Sequence, residues 1–186
     1  MRFGGATPKQ LREIGGVTLV ARALAAASGA GLPVLLVVSD DAVGAAAAPD
    51  VAIVHNEAPE RGIASSLQCA LRALTPRPEV SAAVVGLADQ PLVGPEAYRR
   101  LAAAYDEGAR LSFATYGGAR GNPVLIARDY WAEALELTGD EGARVLFSRH
   151  DAIAVPCDDT GAPDDVDTPE DLANLESRWR SQTASE

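Results

Sequence analysis

Lysine is nearly absent from this chain: of 16 Lys and Arg residues, only Lys9 is lysine. Aromatic residues make up 5%, which excludes a core of stacked rings and leaves Ala, Val and Leu to build it. The few aromatics include Trp131 and Trp179, both on predicted helices and read as core anchors. There are 2 cysteines, Cys69 and Cys157. Their separation excludes a closed zinc site, and two free thiols fit better than a lone disulfide. The two histidines, His55 and His150, have no triad partners in the sequence pattern and read as structural or surface groups. Positive charge is in short supply, with a formal net charge of −10. That balance argues against a nucleic-acid groove and against binding to anionic membranes, while leaving room for a local basic pocket. No apolar run reaches membrane-span length, the Pro33–Ser39 stretch being far too short. Met1 leads directly into polar, Gly-rich residues, so no secretory leader and a cytoplasmic location are expected.

What is present alternates between strand and helix signals. Thr18–Ser28 predicts a helix closed by Gly29 and Gly31. Pro33–Val38 and Val51–Val54 predict strands. Ser65–Leu74 has helical spacing, with Ser65 or Ser66 as its cap. Pro95–Tyr105 predicts a helix with Pro in its first turn. Leu111–Thr115 and Pro123–Ala127 read as strands around a Gly-rich turn, Tyr116–Asn122. Short helices follow at Tyr130–Leu137 and Ala143–Ser148, then a strand at Ala152–Val155. Thr168–Arg180 is a well-marked helix: Thr168 caps it, Pro169 opens it, and acids fill its first turn. The Ala45–Ala48 run carries little information. Alternation of this kind predicts a three-layer α/β domain with a mostly parallel sheet. One domain over residues 1–180 and a loose tail at 181–186 are expected.

The most informative stretch is Ser81–Pro91. Small and β-branched residues run without charge, as in a strand buried on both faces, and the run ends at Asp89 before Pro91 stops the ladder. A carboxylate at the carboxyl end of a buried strand stands where open α/β sheets bind ligands. It suits a hard cation such as magnesium, which usually arrives with a phosphate-bearing substrate. The local alternative is a turn or a cap for the helix near Pro95. Three further polar clusters fall at strand-to-helix turns. Arg2-Phe3-Gly4-Gly5 with Lys9 combines backbone amides and charge suited to phosphate oxygens. Asn56 with Gly62–Ser66 enters a helix, a place that favours an anion or a polar base edge. Asp164-Asp165-Val166-Asp167 precedes the capped helix, so that two carboxylates from distant segments can share one magnesium.

Taken in order, these clusters resemble the MobA-like nucleotidyltransferases, with the molybdenum cofactor cytidylyltransferase branch the nearest pattern. Arg2-Phe3-Gly4-Gly5 with Lys9 is similar to the end of the signature loop Leu-Ala-Ala-Gly-x-Ser-x-Arg-Phe-Gly-x-x-Lys. Asn56 with Gly62–Ser66 resembles Asn…Gly-Met-x-Ser-Ser, with Ile63 in place of Met. Leu87–Pro91 resembles the Leu-Gly-Asp-Gln-Pro metal motif. Tyr116–Pro123 resembles Tyr-x-Gly-x-x-Gly-x-Pro, with Asn122 where His is common. Gly139–Arg144 matches Gly-Asp-x-Gly-Ala-Arg, and Asp165–Leu172 matches Asp-Ile-Asp-Thr-Pro-Glu-Asp-Leu.

The resemblance implies a Rossmann-like nucleotidyltransferase fold and a set of roles. Arg2, Gly4 and Lys9 would hold the triphosphate. Asn56, Gly62, Ser65 and Ser66 would meet base and ribose. Asp89 and Asp165 would hold magnesium, with Asp167 a second possibility beside Asp165. Gly118, Gly121 and Pro123, with Gly139, Asp140 and Arg144, would shape the acceptor site. Lys9 and Asp89 carry the chemistry: an acceptor phosphate attacks the α-phosphate of CTP, or GTP, and pyrophosphate leaves. The implied acceptor is molybdopterin or molybdenum cofactor, with a molybdoenzyme as a further partner. Alternatives remain open: a phospholactate or sugar-phosphate acceptor, an oxidoreductase acting on a nicotine-derived dye, or a non-catalytic cofactor-handling protein. No Gly-x-Gly-x-x-Gly fingerprint supports the redox alternative.

The resemblance also sets an expectation about the start of the chain. The family pattern opens with a buried strand near the middle of the sheet, and this sequence begins inside the loop that follows it. Roughly 10–15 residues of that pattern, one strand and half a turn, are expected to be missing. Either a longer reading frame or a copy with weakened folding and nucleotide binding would account for this. The neighbouring strands would then carry unpaired backbone groups.

Overall fold

The computed structural model describes residues 7–183. A short 3-10 turn at Lys9–Leu11 leads into a small antiparallel ribbon, β1 (Glu13–Ile14) and β2 (Val17–Thr18). Helix α1 (Leu19–Gly29) starts at Thr18, whose hydroxyl accepts the Ala21 N–H. That hydrogen bond satisfies one of the free donors of the first turn. Strand β3 (Leu35–Val38), helix α2 (Asp41–Ala45) and strand β4 (Ala52–His55) follow. Helix α2 was not legible in the alanine-rich segment; Asp40 caps it by accepting the Ala42 N–H.

Next come α3 (Ile63–Leu74), β5 (Ala82–Val85) and α4 (Pro95–Asp106). The hairpin of β6 (Leu111–Tyr116) and β7 (Ala119–Ala127) is tighter than the sequence suggested. Gly117 and Gly118, both at positive φ, make the turn alone, and residues 119–122 join the strand. Short helices α5 (Trp131–Ala134) and α6 (Arg144–Arg149), strand β8 (Ile153–Pro156) and helix α7 (Pro169–Thr183) complete the chain. Helix α7 extends past residue 180, into the segment expected to be a loose tail.

Apart from the β1–β2 ribbon, the strands form two hydrogen-bonded sheets. In one, β3 and β4 pair in parallel. The other has the order β5-β7-β6-β8, with β7 antiparallel to both neighbours and β8 parallel to β6. Strands β5, β6 and β8 therefore point the same way, and β7 alone runs against them. The expected mostly parallel character survives in strand direction, and the reversed β7 enters as the return arm of a hairpin. Among the described residues no ladder joins β3 to β5.

Helices cover both faces. On one side α3, α5 and α6 bury Leu67, Leu71, Trp131 and Leu146 against Ile126. On the other, α1 and α4 bury Ala26, Ala97 and Leu101 against Leu125 and Val155. Trp131 is 3% exposed and its indole N–H donates to the Ile126 carbonyl, as expected of a core anchor. The side chain of Trp179 lies outside those described. No helix among the described residues is long and apolar enough to cross a membrane.

Candidate active site

Strand β5 ends at Val85, and the segment beyond it carries Asp89 out of the carboxyl edge of the sheet. A second segment is stitched to it. Gly94 N–H donates to the Thr160 carbonyl, Ala162 N–H to Leu92, and Val166 N–H to Asp89. These backbone hydrogen bonds bring the acidic run 164–167 alongside Asp89. Val166, fully buried, points into a core with Ile14, Leu19 and Leu175, so its neighbours Asp165 and Asp167 are turned the other way.

Lys9 closes the cluster. Its ammonium donates to Asp89 Oδ2 and to Asp167 Oδ1, each at 2.6 Å. Burial alone would lower its pKa, but the hydrogen bonds to Asp167 and Asp89 outweigh that and raise it. The ammonium therefore stays charged throughout the neutral range. Asp165 is engaged differently: its Oδ1 accepts from Gln90 Nε2 at 2.9 Å, and the same amide donates to the Pro163 carbonyl. Burial pushes the Asp165 carboxyl up, the Gln90 hydrogen bond opposes this, and the charges of Asp89 and Asp167 add to the rise. Three carboxylates thus crowd a single lysine. Asp167, rather than Asp165, shares that lysine with Asp89.

The set suits a hard cation. An ammonium already bridges two carboxylate oxygens, which is the demand a divalent ion would meet. Among the described residues no group of three His, Cys, Asp or Glu is arranged to hold a metal. The protein would then supply few ligands and leave the rest to water and phosphate, as is usual for magnesium.

A second cluster lies at the start of α3. Asn56 is 5% exposed, and its amide donates to Ser65 Oγ at 2.8 Å and to Ser66 Oγ at 3.0 Å. Its carbonyl oxygen accepts the Ala58 N–H. Neither serine caps the helix as expected. Gly62, at φ +85°, is the N-cap, and Ser65 turns back to donate to the Gly62 carbonyl. Gly62 meets the loop between α5 and α6: the Ala64 N–H donates to the Gly139 carbonyl. A Cβ on Gly62 would stand 2.7 Å from Asp140 Oδ1. Between Lys9 and this cluster runs a cleft of ≈ 320 Å³ lined by Pro8, Gln10, Val38, Asp40, Ser66 and Ala88.

The hairpin carries Gly118 in its turn and Gly121 in β7, and Pro123, also in β7, is fully buried. A Cβ on Gly121 would stand 3.4 Å from Pro163, so the hairpin abuts the segment that feeds the carboxylates. Arg144 opens α6, next to the Gly139 loop. Arg2 and Gly4 lie outside the described residues. His55 and His150 pair with Asp41 and Glu133 respectively, away from the carboxylates.

An α/β sheet with carboxylates and a lysine at its carboxyl edge defines a nucleotidyltransferase-like architecture. The chain belongs to the MobA-like NTP transferase domain family, whose model matches residues 1–153. Among solved structures it is similar to Rv0371c from Mycobacterium tuberculosis H37Rv, at 30% identity and TM-score 0.78, covering 92% of this chain and 89% of that one. A manganese complex of the same Mycobacterium tuberculosis protein matches at 30% identity and TM-score 0.73, with 94% of each chain covered. Molybdopterin-guanine dinucleotide biosynthesis protein A from Archaeoglobus fulgidus shares the fold at 16% identity and TM-score 0.68, covering 93% and 91%. A comparison with curated proteins found no match.

Proposed function

We propose that this nucleotidyltransferase-family chain transfers CMP from CTP to a phosphorylated acceptor of the molybdopterin type, releasing pyrophosphate. The observation that carries this reading is the Lys9 bridge between Asp89 and Asp167, set beside the Asn56–Ser65–Ser66 network. The first holds charge for phosphates; the second presents buried, oriented polar groups to a base and ribose. A guanylyl donor uses the same machinery, and the choice between CTP and GTP falls to loop atoms around Asn56 and Gly62.

In this reading Asp89, with Asp165 or Asp167, holds magnesium. When bound, the ion supplies positive charge to the triphosphate and aligns it. The chain's own groups do the rest. Lys9 stays protonated and balances charge growing on the α-phosphate. Asn56, fixed by two serines and a backbone amide, orients the nucleotide without reorganising. The carboxyl-edge hairpin and the Gly139–Arg144 segment position the acceptor. No side chain needs to act as a covalent nucleophile, because positioning and charge neutralisation account for most phosphoryl-type transfer. A cytoplasmic location is part of this proposal.

The test is pyrophosphate release with magnesium, CTP or GTP, and molybdopterin cofactor. Turnover that depends on the acceptor and vanishes in Asp89→Ala, with folding intact, supports the proposal. Folded protein with no turnover on either nucleotide would overturn it.

A further inference from the structure

Gln90 follows Asp89 in the chain and is 5% exposed. Its side-chain amide turns both N–H groups on the acidic segment: Nε2 donates to the Pro163 carbonyl at 3.1 Å and to Asp165 Oδ1 at 2.9 Å. Its Oε1 is buried and has no hydrogen-bond partner among the described residues. A buried acceptor left without a partner costs stability. That cost is not needed to join the two segments. Backbone hydrogen bonds already do so, from Gly94 to Thr160, from Ala162 to Leu92 and from Val166 to Asp89. What the amide adds is a hold on the Pro163 carbonyl and on one carboxylate, Asp165.

That hold decides which carboxylate Lys9 takes. An ammonium carries three N–H donors, and that of Lys9 makes two hydrogen bonds, to Asp89 and Asp167. Asp165 stands within electrostatic reach of Lys9, and of Asp89 and Asp167 as well. It nonetheless stays out of the bridge, because its Oδ1 is engaged by Gln90. A neutral amide orients a carboxylate without cancelling its charge. Asp167 is paired with lysine, whereas Asp165 enters no ion pair among the described residues. An oriented carboxylate that no cation has claimed is the kind of oxygen ligand a hard divalent ion takes. A glutamate of the same length could not replace this glutamine. It has no N–H to donate when ionised, and its oxygens would face the Pro163 carbonyl and the Asp165 carboxylate.

We infer that Gln90 is a positioning residue: it keeps Asp165 out of the Lys9 bridge and available, with Asp89, to a divalent cation. This rests on the metal role in the transfer reading above, and it makes Asp165 rather than Asp167 the second carboxylate for the metal. Gln90 acts through Asp165 and needs no contact of its own with metal or nucleotide.

The test is a double-mutant cycle read by metal binding. Manganese alone is titrated into wild type, Gln90→Met, Asp165→Asn and the double variant, with free manganese followed by electron paramagnetic resonance and thermal melts confirming folding. Methionine keeps the length and fills the buried place without a donor. Gln90→Met and Asp165→Asn are each expected to weaken manganese binding at least fivefold. The double variant should bind no more weakly than Asp165→Asn, because nothing is then left to position. Gln90→Met with wild-type affinity, losses that multiply in the double variant, or a wild type that takes up no manganese overturns the inference. Should Gln90→Met fail to fold, Gln90→Glu carries the same expectations. In a second arm, pyrophosphate release with CTP and molybdopterin cofactor is followed while magnesium is varied. Gln90→Met raises the half-saturating magnesium concentration at least fivefold and regains near-native kcat at saturation. A kcat deficit that no magnesium restores marks a wider disturbance of the fold and overturns the inference. A wild type that gives the expected manganese cycle but turns over neither CTP nor GTP sinks the transfer reading and keeps the role of Gln90.

Discussion

Gly62 and Gly139 pack so closely that a Cβ on Gly62 would lie 2.4 Å from the Gly139 carbonyl oxygen. Gly62 also holds φ at +85°, a conformation that side chains with a Cβ rarely adopt. Gly62→Ala therefore strains the start of α3 and forces the Gly139 loop away. The expected cost is about 1–3 kcal/mol of stability, with nucleotide affinity falling more than tenfold. Urea unfolding and CTP titration check both; a variant with unchanged affinity would separate this contact from the nucleotide site.

Among the described residues, Lys9 is the only ammonium beside Asp89, Asp165 and Asp167. Lys9→Ala is expected to lower kcat for pyrophosphate release by about 10²–10³-fold, the usual loss when a preorganised charge at the reacting phosphate is removed. Lys9→Arg should restore little, because a planar fork replaces a compact charge. An arginine variant with near-native kcat would argue for a merely structural ion pair.

Glu133 ties α5 to the end of α6, through His150 at 2.6 Å and Arg149 at 3.0 Å. The His150 hydrogen bond, then that of Arg149, hold its carboxyl below the usual glutamate range. A carboxyl with a depressed folded-state pKa adds stability that is fully present above its unfolded pKa, about 4.3. That stability is lost as pH falls through the lower folded value. Glu133→Gln should flatten part of the acid limb in a stability–pH profile between about pH 5 and 3. A profile that superimposes on the wild type would show that the clamp adds nothing.

Cys157 is 0% exposed, and burial pushes its thiol pKa up. Cys69 is half-buried. In native protein a thiol reagent should modify Cys69 alone, with Cys157 reacting only after denaturant is added. Equal native rates at both would contradict the packing around Cys157.

The parts of the fold legible in the sequence share a feature: the signal was local. Thr168 and Pro169 announced α7, and the small, uncharged run to Asp89 announced β5 and its exit. What escaped depended on partners far along the chain. Gln90 engages Asp165 and leaves Asp167 to Lys9, a pairing across the long interval between them that no spacing reveals. Ser65 and Ser66 looked like caps because they precede leucines at helical intervals, yet both turn toward Asn56. Helix α2 is short and alanine-rich, so only Asp40 betrays it.

The two ladders give α1 a role beyond covering the sheet. Its Val20 and Leu24 side packs on Leu36 and Val38 of β3, while Ala26, Ala27 and Ala30 rest against α4 and β5. Asn56 follows β4 in one ladder and Asp89 follows β5 in the other, and no described backbone hydrogen bond fixes the distance between the strands. Hydrogen-bonded strands keep a spacing near 4.8 Å, whereas helix packing tolerates small shifts along a smooth alanine surface. Helix α1 thereby packs on both sheets at once, so a core change at Val20 acts on β3 and one at Ala26 acts on the α4 side, without touching a polar residue.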